Sequence, residues 1–66
     1  MSIAKIIEIS AESRQGFDDA IRSGIAGAAK SLHGIRNAWV KDQQVIVEDG
    51  KPTVYRVDLK LTFVMD

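Results

Sequence analysis

Val54-Tyr-Arg-Val-Asp-Leu-Lys-Leu-Thr-Phe-Val-Met65 is the stretch whose reading decides the fold. Its odd positions, Tyr55, Val57, Leu59, Leu61, Phe63 and Met65, are all apolar. Its even positions place Arg56, Asp58, Lys60 and Thr62 in a row between Val54 and Val64. Successive side chains of an extended strand project to opposite faces, so this is a long strand with one apolar and one polar face. A chain of 66 residues can cover only one of those faces. What meets the other, water or a second subunit, is the functional question.

Working back from that strand, Pro52 stands near its start, where a missing backbone donor is tolerated. Asp49-Gly50 is a strong hairpin turn. Ile35–Glu48 reads as the preceding strand, with an alternation that slips around Asp42-Gln43-Gln44 and predicts a bulge or bend. Ile3–Ile9 reads as a first strand, rich in isoleucine with Lys5 and Glu8 interspersed. Ser10–Ser13 is polar and turn-like, and Ser13 is placed as an N-cap.

Between these strands the spacing predicts a helix from about Arg14 to His33, with Phe17, Ile21, Ile25, Ala28 and Leu32 on one face. Asp18 and Asp19 fall near its positive end. Gly24 and Gly27 each cost a helix roughly 1 kcal/mol against alanine. Either a close approach requires them or they are merely tolerated. Gly34 stands where a left-handed residue ends a helix. The order is β-α-β-β, an α+β fold in one domain over residues 1–66. The helix is expected on the apolar face of a three-stranded antiparallel sheet, burying Phe17, Ile21, Ile25 and Leu32 against Tyr55, Val57, Leu59, Leu61 and Phe63.

Composition narrows the function. There is no cysteine and one histidine, His33, so disulfides, thiolate metal sites and multi-histidine sites within one chain are excluded. A core this small needs outside support, and association is the option that remains. Nine basic and nine acidic residues give zero net charge, which argues against wrapping nucleic-acid phosphates. No apolar run reaches the roughly 20 residues that span a bilayer. Met1-Ser-Ile-Ala-Lys5 lacks a signal peptide's order, so a soluble cytoplasmic protein is expected.

Catalytic chemistry has little to draw on. Ser31 and His33 are two apart on the expected helix and do not face each other. Asp18 and Asp19 are adjacent, point in different directions, and read as favourable charge at a helix start. His33 reads as a last-turn residue complementing the dipole. No catalytic residue is assigned, and the chain is read as a non-enzyme. The second strand is more informative. If Ala38 and Val40 face the helix, Asn37 and Trp39 face away, alongside Arg56. An exposed tryptophan among polar groups marks either a subunit contact or a stacking site for a planar ligand.

This order of elements, carried by Lys5-Ile-Ile-Glu-Ile-Ser10, Phe17-Asp-Asp-Ala-Ile21, Leu32-His-Gly-Ile-Arg-Asn-Ala-Trp-Val40 and Tyr55-Arg-Val-Asp-Leu-Lys-Leu-Thr-Phe63, resembles the dodecin family. The resemblance implies a hollow homododecamer that stores or sequesters a small ligand without catalysis, with flavin, as FMN or riboflavin, the first candidate. In flavin-binding members a tryptophan stacks the isoalloxazine ring and a glutamine on the last strand bonds its edge. The ungapped match puts Asn37 at the stacking position and Arg56 at the bonding position, with Trp39 two residues on along the same face. Asparagine offers no stacking plane, and arginine only donates hydrogen bonds. Asn37, Trp39 and Arg56 are therefore the candidate ligand residues. Ile35-Arg36 and Tyr55-Arg56 look more like the subgroup that lacks the flavin residues, one member of which is described as calcium-binding. The alternative implied is a flavin-free shell holding an ion, calcium among them, or a small anion between subunits. For calcium the chain offers only scattered carboxylates, Glu48, Asp49 and Asp58, with no contiguous oxygen-ligand loop.

Overall fold

The structure, a computed structural model, describes residues 3–65. Strand β3 (Lys51–Met65) lies between β1 (Ile3–Ser13) and β2 (Ile35–Glu48), antiparallel to both, and helix α1 (Phe17–Ala29) covers one face. The β-α-β-β order and the three-stranded antiparallel sheet agree with the reading of the sequence. The central place of β3 explains its pattern, since only a middle strand has neighbours on both edges to bury its apolar row.

The register fixes the two faces. Val57, Leu59 and Leu61 stand opposite Ala11, Ile9 and Ile7 on β1, and opposite Gln43, Val40 and Ala38 on β2. With Ala20 of α1 these three β3 residues are the fully buried core, and Phe17, Ile21, Ile25 and Ala28 pack onto it from the helix. Phe17 meets Tyr55 edge to face, with ring centroids 5.2 Å apart. Asp49 (φ 50°) and Gly50 (φ 73°) form the hairpin turn that the Asp-Gly pair predicts.

Three expectations are corrected. First, β1 does not end at Ile9. Ser10–Ser13 continues it, paired with Asp58–Tyr55, because the pairing offered by β3 outweighs the turn preference of small polar residues. Second, α1 is shorter than Arg14–His33. Gly16 is the N-cap, without a side-chain cap, and Ala20 N–H donates to Gly16 O at 3.0 Å. Ser13 does not cap the helix. Its hydroxyl accepts from Gln15 N–H at 2.9 Å and donates to Asp19 at 2.6 Å, holding Arg14 and Gln15 in the turn before the helix. At the other end the helix closes after Ala29, with Ser31 N–H and Leu32 N–H both donating to Ala28 O. Leu32 and His33 therefore lie beyond the helix, and Leu32 is half-buried outside the core cluster. Third, Gly34 is left-handed (φ 77°) but serves the entry to β2 rather than the helix end. Its carbonyl accepts from Val64 N–H at 3.1 Å, and a Cβ there would stand 2.9 Å from Val64 O.

The two helical glycines differ. A Cβ on Gly24 would lie 2.8 Å from Ala11 Cβ, so this glycine is required where α1 crosses β1. Gly27 faces open space.

The slip in β2 is real and sits at Lys41. The register jumps between Val40 and Asp42, and again between Ile35 and Asn37, leaving Arg36 and Lys41 as extra residues. Odd positions Asn37 and Trp39 and even positions Asp42 and Gln44 consequently share one face of the sheet.

The radius of gyration is 13.5 Å, against ~11 Å for a compact domain of this length. The excess comes from strands that outrun the helix. Ile3, Ile6 and Met65 at one end and Val45 and Val47 at the other are exposed.

Candidate ligand site on the open face of the sheet

The face away from α1 is built from cross-strand rows. Thr62 pairs with Asn37 and Ile6, Lys60 with Trp39 and Glu8, Asp58 with Asp42 and Ser10, and Arg56 with Gln44 and Glu12. The alternation of β3 thus carries one polar residue into each row, and the Lys41 bulge keeps β2 in step. Trp39 is 64% exposed, as its place on the uncovered face requires. Lys60 Nζ stands 5.4 Å from the centre of its ring, within cation–π range.

Arg56 is less available than its place in the sequence implies. Its Nε and Nη2 both reach Glu12 Oε2 at 2.5 Å, and Nη1 donates to Gln44 Oε1 at 3.3 Å. These partners aim the guanidinium across the strands. Lys41 Nζ bonds Glu8 Oε1 at 3.5 Å. An open concavity of about 300 Å³ is lined by Asp42, Gln43, Gln44, Arg56 and Asp58.

The three nominated residues share one face of the sheet but do not form a cluster. Asn37 and Trp39 neighbour each other along β2. Arg56 lies four residues from Lys60, and so from the Trp39 row, about 13 Å along the sheet. Within one chain the aromatic surface and the guanidinium are separate features. The three carboxylates considered for calcium are not gathered either, since Glu48 and Asp49 are at the hairpin end and Asp58 is mid-sheet. Among the described residues no group of three or more histidine, aspartate or glutamate side chains is placed to hold a metal ion. No helix there is long and apolar enough to cross a membrane.

Glu12, Asp42, Gln44 and Lys60 are among the members of this face that sequence reasoning passed over as site residues. Glu12 was hidden by reading Ser10–Ser13 as a turn. Gln44 and Lys60 become neighbours of Arg56 and Trp39 only through a register that the bulges shift.

The dodecin family model matches residues 3–66, and the chain belongs to the dodecin family. Solved structures agree. A dodecin from Streptomyces davaonensis superposes with a TM-score of 0.93 at 29% identity, covering 98% of this chain and 96% of that one. One from Streptomyces coelicolor gives 0.93 at 26% identity, covering 98% and 93%. The calcium dodecin of Mycobacterium tuberculosis, described as calcium-chelating with a novel calcium-binding site, gives 0.84 at 28% identity, covering 97% and 91%. A search of curated proteins finds no match.

Proposed function

We propose that this dodecin is a non-enzymatic, cytoplasmic, homododecameric shell that sequesters a small planar ligand, with flavin (FMN or riboflavin) the first candidate. The observation that carries the reading is Trp39. A large aromatic surface, 64% exposed on the uncovered face of the sheet, has no use in the core of its own chain. Self-association is supported by the small core and by the exposed apolar strand ends. On this reading Trp39 stacks the ring, Asn37 beside it offers an amide, and Arg56 contributes donors from the neighbouring concavity. The strength of flavin binding then rests on one aromatic contact, because Asn37 has no stacking plane and Arg56 no acceptor.

The second reading, an ion-holding shell without flavin, is favoured by a specific juxtaposition. Asp42 and Asp58 stand opposite each other in the concavity, and a 28% identical relative is a calcium dodecin.

Absorbance in the flavin region after purification, followed by titration of riboflavin and FMN with flavin fluorescence as readout, tests the proposal. Quenching that is lost in Trp39→Ala is the expected result. Asn37→Trp combined with Arg56→Gln is expected to raise the affinity. Tight binding that survives Trp39→Ala would overturn this account of the site. No binding by the natural chain, with gain in the double variant, would favour the ion-holding shell.

A further inference from the structure

Lys60 presents an ammonium to the face of Trp39, and that ammonium forms no direct ion pair with the carboxylates around it among the described residues. Its cross-strand partner on β1, Glu8, is already engaged by Lys41 at 3.5 Å. The carboxylates of Asp42 and Asp58 lie to one side only, towards Arg56. On the other side the next row is Asn37 and Thr62, which carry an amide, a hydroxyl and no charge, with exposed Ile6 across from Thr62. One patch thus holds an aromatic plane, a cation and neutral hydrogen-bond donors, bordered by an apolar side chain.

We infer that Lys60 makes the Trp39 surface selective for planar aromatic acids over neutral rings of the same shape, an inference that rests on Trp39 being a ligand-stacking site. A neutral ring settling on this side of the indole must desolvate or displace the ammonium and gains no charge interaction in return. A ring bearing a carboxylate pointed towards Asn37 and Thr62 keeps the ammonium as its counter-ion and receives a charge-assisted hydrogen bond. The side chain is solvated, so the preference is modest and falls as salt screens it.

The test compares naphthoate with its amide, which differ in charge and not in ring, alongside FMN and riboflavin. Binding to the assembled protein is measured by equilibrium dialysis at low and high salt. The natural chain is expected to prefer naphthoate over the amide by about threefold to tenfold at low salt, with the margin narrowing at high salt. Lys60→Met is expected to erase the margin, Lys60→Arg to keep it, and Trp39→Ala to weaken both probes. Equal affinities in the natural chain, or a margin that persists in Lys60→Met, would overturn the inference. Naphthoate preference without flavin binding upholds it while removing flavin as the ligand. Flavins bound independently of Lys60, with naphthoate no better than its amide, uphold the flavin reading and reject selection by Lys60. Failure of every probe rejects both.

Discussion

Asp42 and Asp58 stand directly opposite each other across β2 and β3, on the face of the sheet that α1 leaves open. Like charges in direct cross-strand register are unfavourable, by roughly 0.2–1 kcal/mol. The guanidinium of Arg56, one row along, bonds Glu12 and Gln44 instead. Asp42→Asn and Asp58→Asn are therefore expected to raise the denaturation midpoint slightly at neutral pH and low salt, and to do less at high salt. Chemical denaturation of each variant checks this. A clear loss of stability in either would mean that the carboxylate meets a cationic partner supplied by the assembly.

Arg56 ties β1 to β2 across β3, because it bonds Glu12 on one side and Gln44 on the other. Its ion pair is partly solvated, at 37% and 48% side-chain exposure, so the expected loss in Arg56→Ala is no more than about 1 kcal/mol in a single chain. A larger loss is expected if the guanidinium also lies at a subunit contact. Lys30→Ala, on an exposed residue just past α1, is the control. Thermal melts that shift equally for the two variants would count against a contact role for Arg56.

Gly24 and Gly27 are chemically identical and are expected to respond in opposite ways. Gly24→Leu drives a side chain into Ala11 on β1, and overpacking of this kind costs about 1–3 kcal/mol. Gly27→Ala meets nothing and gains helix propensity, so it is expected to stabilise by up to about 1 kcal/mol. Melting temperatures that move in the same direction would contradict this packing of α1.

Gly34→Val is expected to destabilise more than an ordinary loop substitution. A β-branched residue resists the left-handed backbone, and its Cβ would crowd Val64 O, which joins the entry of β2 to the end of β3. Urea unfolding with an unchanged midpoint would show that this corner is not required.

The parts of this fold that were legible in the sequence are those encoded locally. The period-two alternation of β3, the Asp-Gly turn and the exposure of Trp39 follow from residues within a few positions of one another. The parts that were missed depend on distant partners. Ser10–Ser13 is a strand only because Tyr55–Asp58 pairs with it. Arg14 and Gln15 suit a helix, but the Ser13 hydroxyl captures Gln15 N–H and delays the start to Phe17. The site divides in the same way. Trp39, Asn37 and Arg56 were placed on one face by alternation alone. Their pairings with Lys60 and Gln44 are set by a β2–β3 register that the extra residues Arg36 and Lys41 shift, and Glu12 reaches Arg56 only because β1 runs on through Ser13, which no local pattern records.

Everything proposed for Trp39 presupposes that the chain does not act alone. Four fully buried side chains among the described residues are a small core, and folding is expected to be coupled to association. Light scattering on the purified protein, run over a range of concentrations beside a thermal melt, tests this most directly. The expected result is one species of about 88 kDa, twelve copies of the 7.3 kDa chain, with a melting temperature that rises with protein concentration. A well-folded species of 7.3 kDa with a concentration-independent melt would contradict it.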